Sequence, residues 1–144
     1  MKPRVLIFED SKTLRKTLKH FLENLGFEVF TFSDPGMCPL NNSSDHICPL
    51  DHACSDIIIS DVNMPTESGL EFIKNRVQKG CRIRSRALMS ADWADPDLKF
   101  AQELGCKIFH KPFEMQKMLQ WLDDCRKRLD PDRKLIGWPP YAQQ

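Results

Sequence analysis

Two features that would redirect the interpretation are missing from this 144-residue sequence: a long apolar run and an excess of charge of one sign. A membrane helix needs roughly 20 apolar residues in a row. The opening segment, MKPRVLIFEDS, reaches charged residues too early for a secretory signal. The formal net charge of +1 gives no reason to expect nucleic acid or an anionic membrane as a partner. The length predicts one domain, and the lack of a membrane helix and of a secretory signal predicts a cytoplasmic location.

Short apolar runs alternate with amphipathic segments along the chain. We predict strands over 5–8, 27–32, 57–59, 87–89 and 107–109, and helices over 11–25, 69–79, 96–104 and 115–129. Apolar runs without alternation are typical of strands buried on both faces of a parallel sheet. The order of elements therefore predicts an α/β fold, a doubly wound sheet of five parallel strands with helices on both faces.

The segment 34–55 interrupts this alternation where a crossover helix belongs. Pro35, Pro39 and Pro49 leave little room for a helix, so we expect an irregular insert in its place. A loop of this length lacks a core of its own, and a bound metal would stabilise it.

The insert also carries three of the six cysteines. Cys38, Cys48 and Cys54, with His46 or His52, could supply four ligands to a tetrahedral Zn²⁺, although no tight Cys-x-x-Cys pair is present. A surface loop with reduced thiols is an equally weighted interpretation, and a redox-active cysteine pair is a third. The other cysteines, at positions 81, 106 and 125, adjoin regular elements and are expected to be packing residues.

Polar residues follow four of the predicted strands: Glu9 and Asp10, Asp61, Ser90 and Lys111. In a doubly wound sheet the carboxyl ends of the strands share one edge, so these side chains are expected to meet. Three adjacent carboxylates repel one another unless a cation compensates them. Mg²⁺ favours carboxylates together with waters and phosphate oxygens. The group therefore looks built to receive a phosphoryl group on a carboxylate, and Asp61 is the first choice.

Four motifs in order, VLIFEDS, DIIISDVNMPTESGLEFI, ALMSA and FHKPF, resemble the receiver domain of two-component response regulators. The resemblance covers about 1–129 and implies a flavodoxin-like, CheY-like fold. It implies that Asp61 is the phosphoacceptor, that Ser90 is the hydroxyl that moves toward the phosphoryl group, and that Lys111 contacts phosphate.

The resemblance also implies a magnesium site. By position, Glu9 and Asp10 would bind Mg²⁺ together with Asp61, and Asn63 would lend its backbone carbonyl. The residue three positions before Lys111, usually an aromatic switch in the family, is Ile108 here, and Phe109 should point to the opposite face of its strand. The usual coupling of the hydroxyl to an aromatic rotamer is therefore in doubt.

The function expected from the resemblance is that of a stand-alone, single-domain response regulator. It would take a phosphoryl group from a sensor histidine kinase or phosphotransfer protein and signal through a downstream protein target, with a homodimer left open. Such a domain is a phosphoacceptor rather than an enzyme, apart from autodephosphorylation. The alternative is a metal- or redox-sensing module using the insert. A haloacid dehalogenase-type phosphatase needs a second Asp two residues after the nucleophile, and Asn63 stands there.

The segment 130–144 is too short for an output domain. Its apolar residues Leu135, Ile136, Trp138 and Tyr141 suggest that it folds back over the domain or docks on a partner, and disorder is the alternative. Trp121 lies off the apolar stripe of the last helix, so we expect it to be exposed and to serve an interface.

Overall fold

The computed structural model describes residues 2–37, 52–112 and 114–137. The strands are β1 (Arg4–Phe8), β2 (Glu28–Phe32), β3 (Ile57–Asp61), β4 (Ser85–Ser90) and β5 (Lys107–His110). The α-helices of these ranges are α1 (Lys12–Asn24), α2 (Gly69–Gln78), α3 (Asp95–Glu103) and α4 (Met115–Lys127). None of them is long and apolar enough to cross a membrane.

All five strands are parallel and lie in the order β2-β1-β3-β4-β5. The chain first winds outward from β1 to β2 and then returns past β1 to β3, so the winding direction reverses between β1 and β3. The carboxyl ends of strands beside such a reversal form the crevice in which open α/β sheets carry their chemistry. The predicted fold class, a doubly wound five-stranded α/β sheet, is confirmed.

Alternate side chains of the central strands enter two separate cores. In β1, Val5 and Ile7 belong to one core, whereas Leu6 and Phe8 belong to the other. Ile57 and Ile59 of β3 share the first core, and the residue between them faces the second. Because both faces are buried, β1 and β3 read as continuous apolar runs rather than as alternating ones.

Much of the predicted insert lies outside the described residues, including 38–51. The described part contains a 3₁₀ turn, Pro35–Met37, and an isolated parallel bridge between Ala53 and Leu135. The predicted replacement of a crossover helix by irregular chain therefore stays a prediction for 38–51.

The prediction that Trp121 is exposed is wrong. Trp121 is partly buried against the first core, and its ring meets that of Phe109 edge-on with centroids 5.8 Å apart. The cause is tertiary, because β5 places Phe109 beside the flank of α4 that the helical stripe alone leaves polar. Cys106 and Cys125 are buried and Cys81 packs against the second core, so their predicted packing role is confirmed.

The tail folds back on the domain as far as it is described, to residue 137. The backbone N–H of Ile136 donates to the carbonyl of Ala53 at 3.0 Å, and the Arg4 guanidinium donates to the carbonyl of Ile136 at 2.7 Å. Arg133 forms an ion pair with the buried carboxylate of Asp56. Residues 138–144 of the tail, with Trp138 and Tyr141, lie outside the described residues.

Candidate functional site

Three carboxylates meet at the carboxyl ends of β1 and β3. Glu9 and Asp10 follow β1, and Asp61 ends β3. The parallel register sets Phe8 beside Ser60, which brings the next residues, Glu9 and Asp61, side by side. Oxygen atoms of all three carboxylates lie within 4.8 Å of one another. Glu9 and Asp61 are buried, at 1% and 4% exposure, whereas Asp10 is exposed to solvent.

Lys111 reaches this cluster from β5, beyond β4. Its Nζ lies 2.8 Å from Glu9 Oε2 and 3.2 Å from Asp61 Oδ2. Its backbone N–H donates to the carbonyl of Ser90 at 2.8 Å, which extends the β4–β5 ladder by one residue. This hydrogen bond holds the backbone from which the Lys111 side chain extends. The peptide bond to Pro112 is cis. One ammonium group thus bridges two buried carboxylates.

The electrostatics of the cluster are dominated by burial. Burial raises the pKa of Glu9, and the hydrogen bond from Lys111 opposes this effect only in part. Burial likewise raises the pKa of Asp61 against the attraction of Lys111, and the charge of Asp10 raises it further. Burial alone lowers the pKa of Lys111, but the hydrogen bond and charge of Glu9 with the charge of Asp61 outweigh it and raise that pKa. Lys111 therefore stays charged between two carboxylates that resist ionisation.

Ser90 ends β4 with its side chain buried beside the cluster. Its Oγ accepts hydrogen bonds from the Asn63 side-chain amide at 3.4 Å and from the Asp92 backbone N–H at 3.1 Å. The predicted carbonyl role of Asn63 stays a prediction, and the structure adds this side-chain contact. The hydroxyl thus links the loop after β3 to the loop after β4.

Two supporting residues were missed from the sequence. The Arg15 guanidinium in α1 donates to the carbonyls of Glu9, at 2.7 Å, and Asp10, at 3.0 Å. Gly69, the first residue of α2, lies against the backbone of Asp61. The sequence signal for Arg15 is a cation one turn into the helix that follows an acidic pair. The signal for Gly69 is a glycine at the start of a helix. Both patterns are common in proteins without such a site.

The two faces of β5 differ as predicted. Phe109 is buried in the first core, and Ile108 packs against the second. Trp93, from the loop after β4, packs against the same core as Ile108, and its indole Nε1 donates to the carbonyl of Phe109 at 3.0 Å. The loop that follows Ser90 therefore places an aromatic ring, that of Trp93, against β5.

The donor set of the cluster fits a hard divalent cation. Three carboxylates face one ammonium group, so negative charge is left over when all are ionised. Carboxylate oxygens, one of them on the exposed Asp10, suit Mg²⁺ with its retained waters. Glu9, Asp10 and Asp61, which the sequence predicts as magnesium ligands, therefore lie together in the structure.

The zinc hypothesis gains no support. Cys38, Cys48 and His46 lie outside the described residues. His52 and Cys54 are described, but within 2–37, 52–112 and 114–137 neither belongs to a cluster of three potential metal ligands.

Comparison with protein families gives a match over most of the chain. The family model described as the response regulator receiver domain matches residues 5–123. FlgR, a transcriptional regulatory protein of Helicobacter pylori, is 29% identical over 133 residues, or 91% of this chain and 32% of FlgR. The chemotaxis protein CheY-3 of Vibrio cholerae is 25% identical and is covered over 93% of its length, with 88% of this chain. The chain thus spans about a third of the length of the first relative and nearly all of the second.

Solved structures agree with the sequence comparison. The chemotaxis protein CheY4 of Vibrio cholerae superposes with a TM-score of 0.69 at 28% identity, covering 87% of this chain and 99% of its own. The N-terminal domain of a Wolinella succinogenes protein superposes with a TM-score of 0.72 at 27% identity, covering 87% of this chain and 94% of that one.

Proposed function

The chain belongs to the response regulator receiver domain family of two-component signalling, and on that premise we propose that Asp61 accepts a phosphoryl group. The observation that carries the proposal is the convergence of Asp61, Glu9, Asp10 and Lys111 at one edge of the sheet. An isolated acidic residue at a strand end is usually solvated, but Asp61 is buried beside a lysine and two further carboxylates. Burying an ionisable carboxylate beside other charges costs desolvation energy, and side chains buried in this way are characteristic of functional sites.

The proposed step is an in-line transfer to a carboxylate oxygen of Asp61. That oxygen forms a bond to phosphorus while the bond between phosphorus and a histidine nitrogen of the donor breaks, and the electron pair stays with the imidazole. The product is an acyl phosphate. Catalysis of such transfers depends mainly on positioning and on stabilising the charge of the phosphoryl oxygens.

Lys111 and Ser90 are proposed to stabilise those oxygens. The Lys111 ammonium lies 3.2 Å from Asp61 Oδ2, so it can hydrogen-bond an oxygen of a phosphoryl group carried there. The Ser90 hydroxyl accepts two hydrogen bonds, and its own proton is available for a third. A phosphoryl oxygen that accepts a hydrogen bond from this hydroxyl would draw Ser90 inward and move the loop that carries Asp92 and Trp93.

The residues proposed to hold Mg²⁺ are Glu9, Asp10 and Asp61, with the Asn63 backbone carbonyl. A bound Mg²⁺ would supply positive charge to the phosphoryl oxygens. The chain's own contribution is to hold Glu9 in place, through the Ser11 N–H at 3.2 Å and the Arg15 guanidinium on the Glu9 carbonyl. Asp10 remains exposed, at the open side of the cluster.

The proposed partners are a sensor histidine kinase or phosphotransfer protein as donor and a downstream protein as target. The family and the chemotaxis and transcriptional regulators among its relatives support a signalling role without naming either partner. The division into a receiver over 1–129 and a tail over 130–144, the stand-alone organisation and the cytoplasmic location stay predictions.

The test is intact-protein mass spectrometry after incubation with Mg²⁺ and acetyl phosphate. We expect one added phosphoryl group on the parent chain and none on Asp61→Asn. Asp123→Asn is the matched control, because Asp123 is an exposed acid on α4 that pairs with Lys127. It should be phosphorylated like the parent.

A chain that takes no phosphoryl group from acetyl phosphate is next given beryllofluoride with Mg²⁺ and examined by NMR. Chemical-shift changes around Asp61 and Ser90 would then support a site that requires its own kinase. Absence of both the adduct and the shifts, or an adduct that persists in Asp61→Asn, would refute the proposal.

A further inference from the structure

A wide groove lies at the end of the sheet opposite the carboxylate cluster. Its volume is 1220 Å³, and it is lined by Asp56, Ser85 and Lys107, at the amino ends of β3, β4 and β5, and by the segment 128–135. Strands of five residues separate the two ends of the sheet by about 16 Å. The groove therefore does not belong to the site formed by Glu9, Asp10, Asp61 and Lys111.

Positive charge is concentrated in this groove. Among the residues that the structure describes, seven lining side chains are cationic: Arg82, Arg84, Arg86, Lys107, Arg128, Arg133 and Lys134. Asp56 and Asp130 are the only acidic residues among the described ones that line the groove, so these described residues carry a formal charge of +5. The whole chain carries +1, which leaves −4 on the rest of it. The cations are therefore concentrated in the groove, whereas the rest of the chain has a net negative charge.

The contacts of the two acidic side chains are with Arg133 and with a backbone N–H. Asp56 binds Arg133 through both carboxylate oxygens, which consumes one cation and anchors the tail that forms one wall of the groove. Asp130 Oδ1 accepts from the backbone N–H of Asp132 at 2.9 Å. Arg86 is held by two carbonyls, those of Ile83 and Leu104, each at 3.0 Å, rather than by a carboxylate.

We propose that this groove binds a small anion carrying two or more phosphate groups, of the nucleoside polyphosphate class. Clustered like charges repel one another, and a polyvalent anion relieves that repulsion. Guanidinium groups match phosphate geometry and supply several donors each. At 1220 Å³ the groove is large enough to admit an anion of this size. A long nucleic acid is disfavoured because the chain outside the groove has the opposite net charge.

The test is isothermal titration of the full chain with inorganic tripolyphosphate at low ionic strength, in EDTA. Without divalent cations the carboxylate cluster at the other end of the sheet repels phosphate, so binding there does not contribute. The same titrations with ATP and with a single-stranded oligonucleotide distinguish the source of the phosphates. Equal affinity for tripolyphosphate and ATP would mean that phosphates alone are recognised. Tighter binding of ATP would mean that the groove also binds the nucleoside.

Two double variants with the same change in charge give the contrast. Arg84→Glu with Lys134→Glu reverses two exposed cations of the groove, and Lys16→Glu with Lys99→Glu reverses two exposed cations of α1 and α3. We expect the groove pair to weaken tripolyphosphate binding by about tenfold or more and the control pair by about threefold or less. Circular dichroism should show both variants folded, since all four side chains are exposed.

Three results would overturn the proposal. The first is no saturable binding of tripolyphosphate or ATP. The second is equal weakening by the two double variants, which means a general effect of net charge. The third is an oligonucleotide that binds more tightly than tripolyphosphate through the same residues, which would make the groove a nucleic-acid surface.

Discussion

A Cβ atom at Gly69 would lie 2.0 Å from the backbone carbonyl oxygen of Asp61. The Gly69 N–H also donates to the carbonyl of Val62 at 2.9 Å, so the first turn of α2 rests directly on the end of β3. No side chain fits between the two backbones. The position of the proposed phosphoacceptor is therefore set in part by a residue eight positions later that has no chemistry of its own.

The first prediction concerns this contact. Gly69→Ala should destabilise the fold by about 3 kcal/mol, because a backbone carbonyl cannot rotate away as a flexible side chain can. It should also displace Asp61 from Lys111 and so reduce phosphorylation by acetyl phosphate. Urea denaturation followed by tryptophan fluorescence measures the first effect, and intact mass measures the second.

Gly36→Ala is the matched control for that substitution. Among the described residues, a Cβ there would meet the Asp34 side chain, at 2.9 Å from its Oδ1, and that carboxylate can turn away. We expect a change of about 1 kcal/mol or less. Equal unfolding midpoints for the two variants would contradict the importance of the Gly69 contact.

The second prediction is the sign of the pH dependence. Burial raises the pKa values of Glu9 and Asp61 in the folded protein above their ordinary values. A raised carboxyl pKa favours folding fully below the unfolded-state pKa, and this contribution is lost as the pH rises through the folded-state pKa. In EDTA, Asp61→Asn should therefore be more stable than the parent at pH 7, with the advantage vanishing near pH 4.

Urea denaturation of the parent and Asp61→Asn across that pH range measures the difference. Asp123→Asn, which removes an exposed carboxylate, should show no such trend. A parent that is more stable than Asp61→Asn at pH 7 would show instead that the ion pair with Lys111 outweighs the cost of burial.

The third prediction is stabilisation by Mg²⁺. A cation bound by the carboxylates favours the folded state, by about 1.4 kcal/mol at ten times its Kd. Asp10→Asn should abolish this gain without lowering the metal-free stability, because Asp10 is exposed and its charge only repels that of Asp61. The gain should also fall as the pH falls, since protonated Glu9 and Asp61 no longer bind metal. Thermal unfolding with and without Mg²⁺ checks both effects, and an undiminished gain in Asp10→Asn would argue against the site.

The fourth prediction concerns the anchor of the tail. Arg133→Met should destabilise the fold by about 1–3 kcal/mol, because it leaves the Asp56 carboxylate, only 2% exposed, without its charged partner. The remaining hydrogen bond comes from the Arg4 N–H at 2.9 Å. The neighbouring exposed Lys134→Met should change stability by about 0.5 kcal/mol or less. Urea midpoints that shift alike in both variants would mean that the ion pair does not hold the tail.

Local patterns were sufficient for most of the fold. The apolar runs of β1 and β3, and the helical spacing that begins after Ser11 in α1, depend on neighbours a few residues apart. Boundaries were less accurate, because partners in space extend or end a strand. β4 begins at Ser85 rather than at Ala87, since Ser85 and Arg86 pair with Ile57 and Ile58 of β3.

The candidate site was predictable because its acids, its hydroxyl and its lysine each lie at the carboxyl end of a strand or within two residues of it. Parallel strands bring such ends to one edge regardless of the intervening sequence. The supporting contacts were not predictable in the same way. Arg15 acts on backbone carbonyls, and Gly69 acts through the absence of a side chain, so neither leaves a distinctive pattern.

The sequence by itself determined the class of fold, the family and the residues gathered at the carboxyl edge of the sheet. It could do so because strand and helix periodicity, and the chain position of polar residues, are local properties. Only the tertiary structure decided that Trp121 packs against Phe109, that Arg133 ties the tail to Asp56, and that a basic groove opens at the opposite end. Each of these depends on side chains from elements far apart in the chain, whose meeting no local pattern encodes.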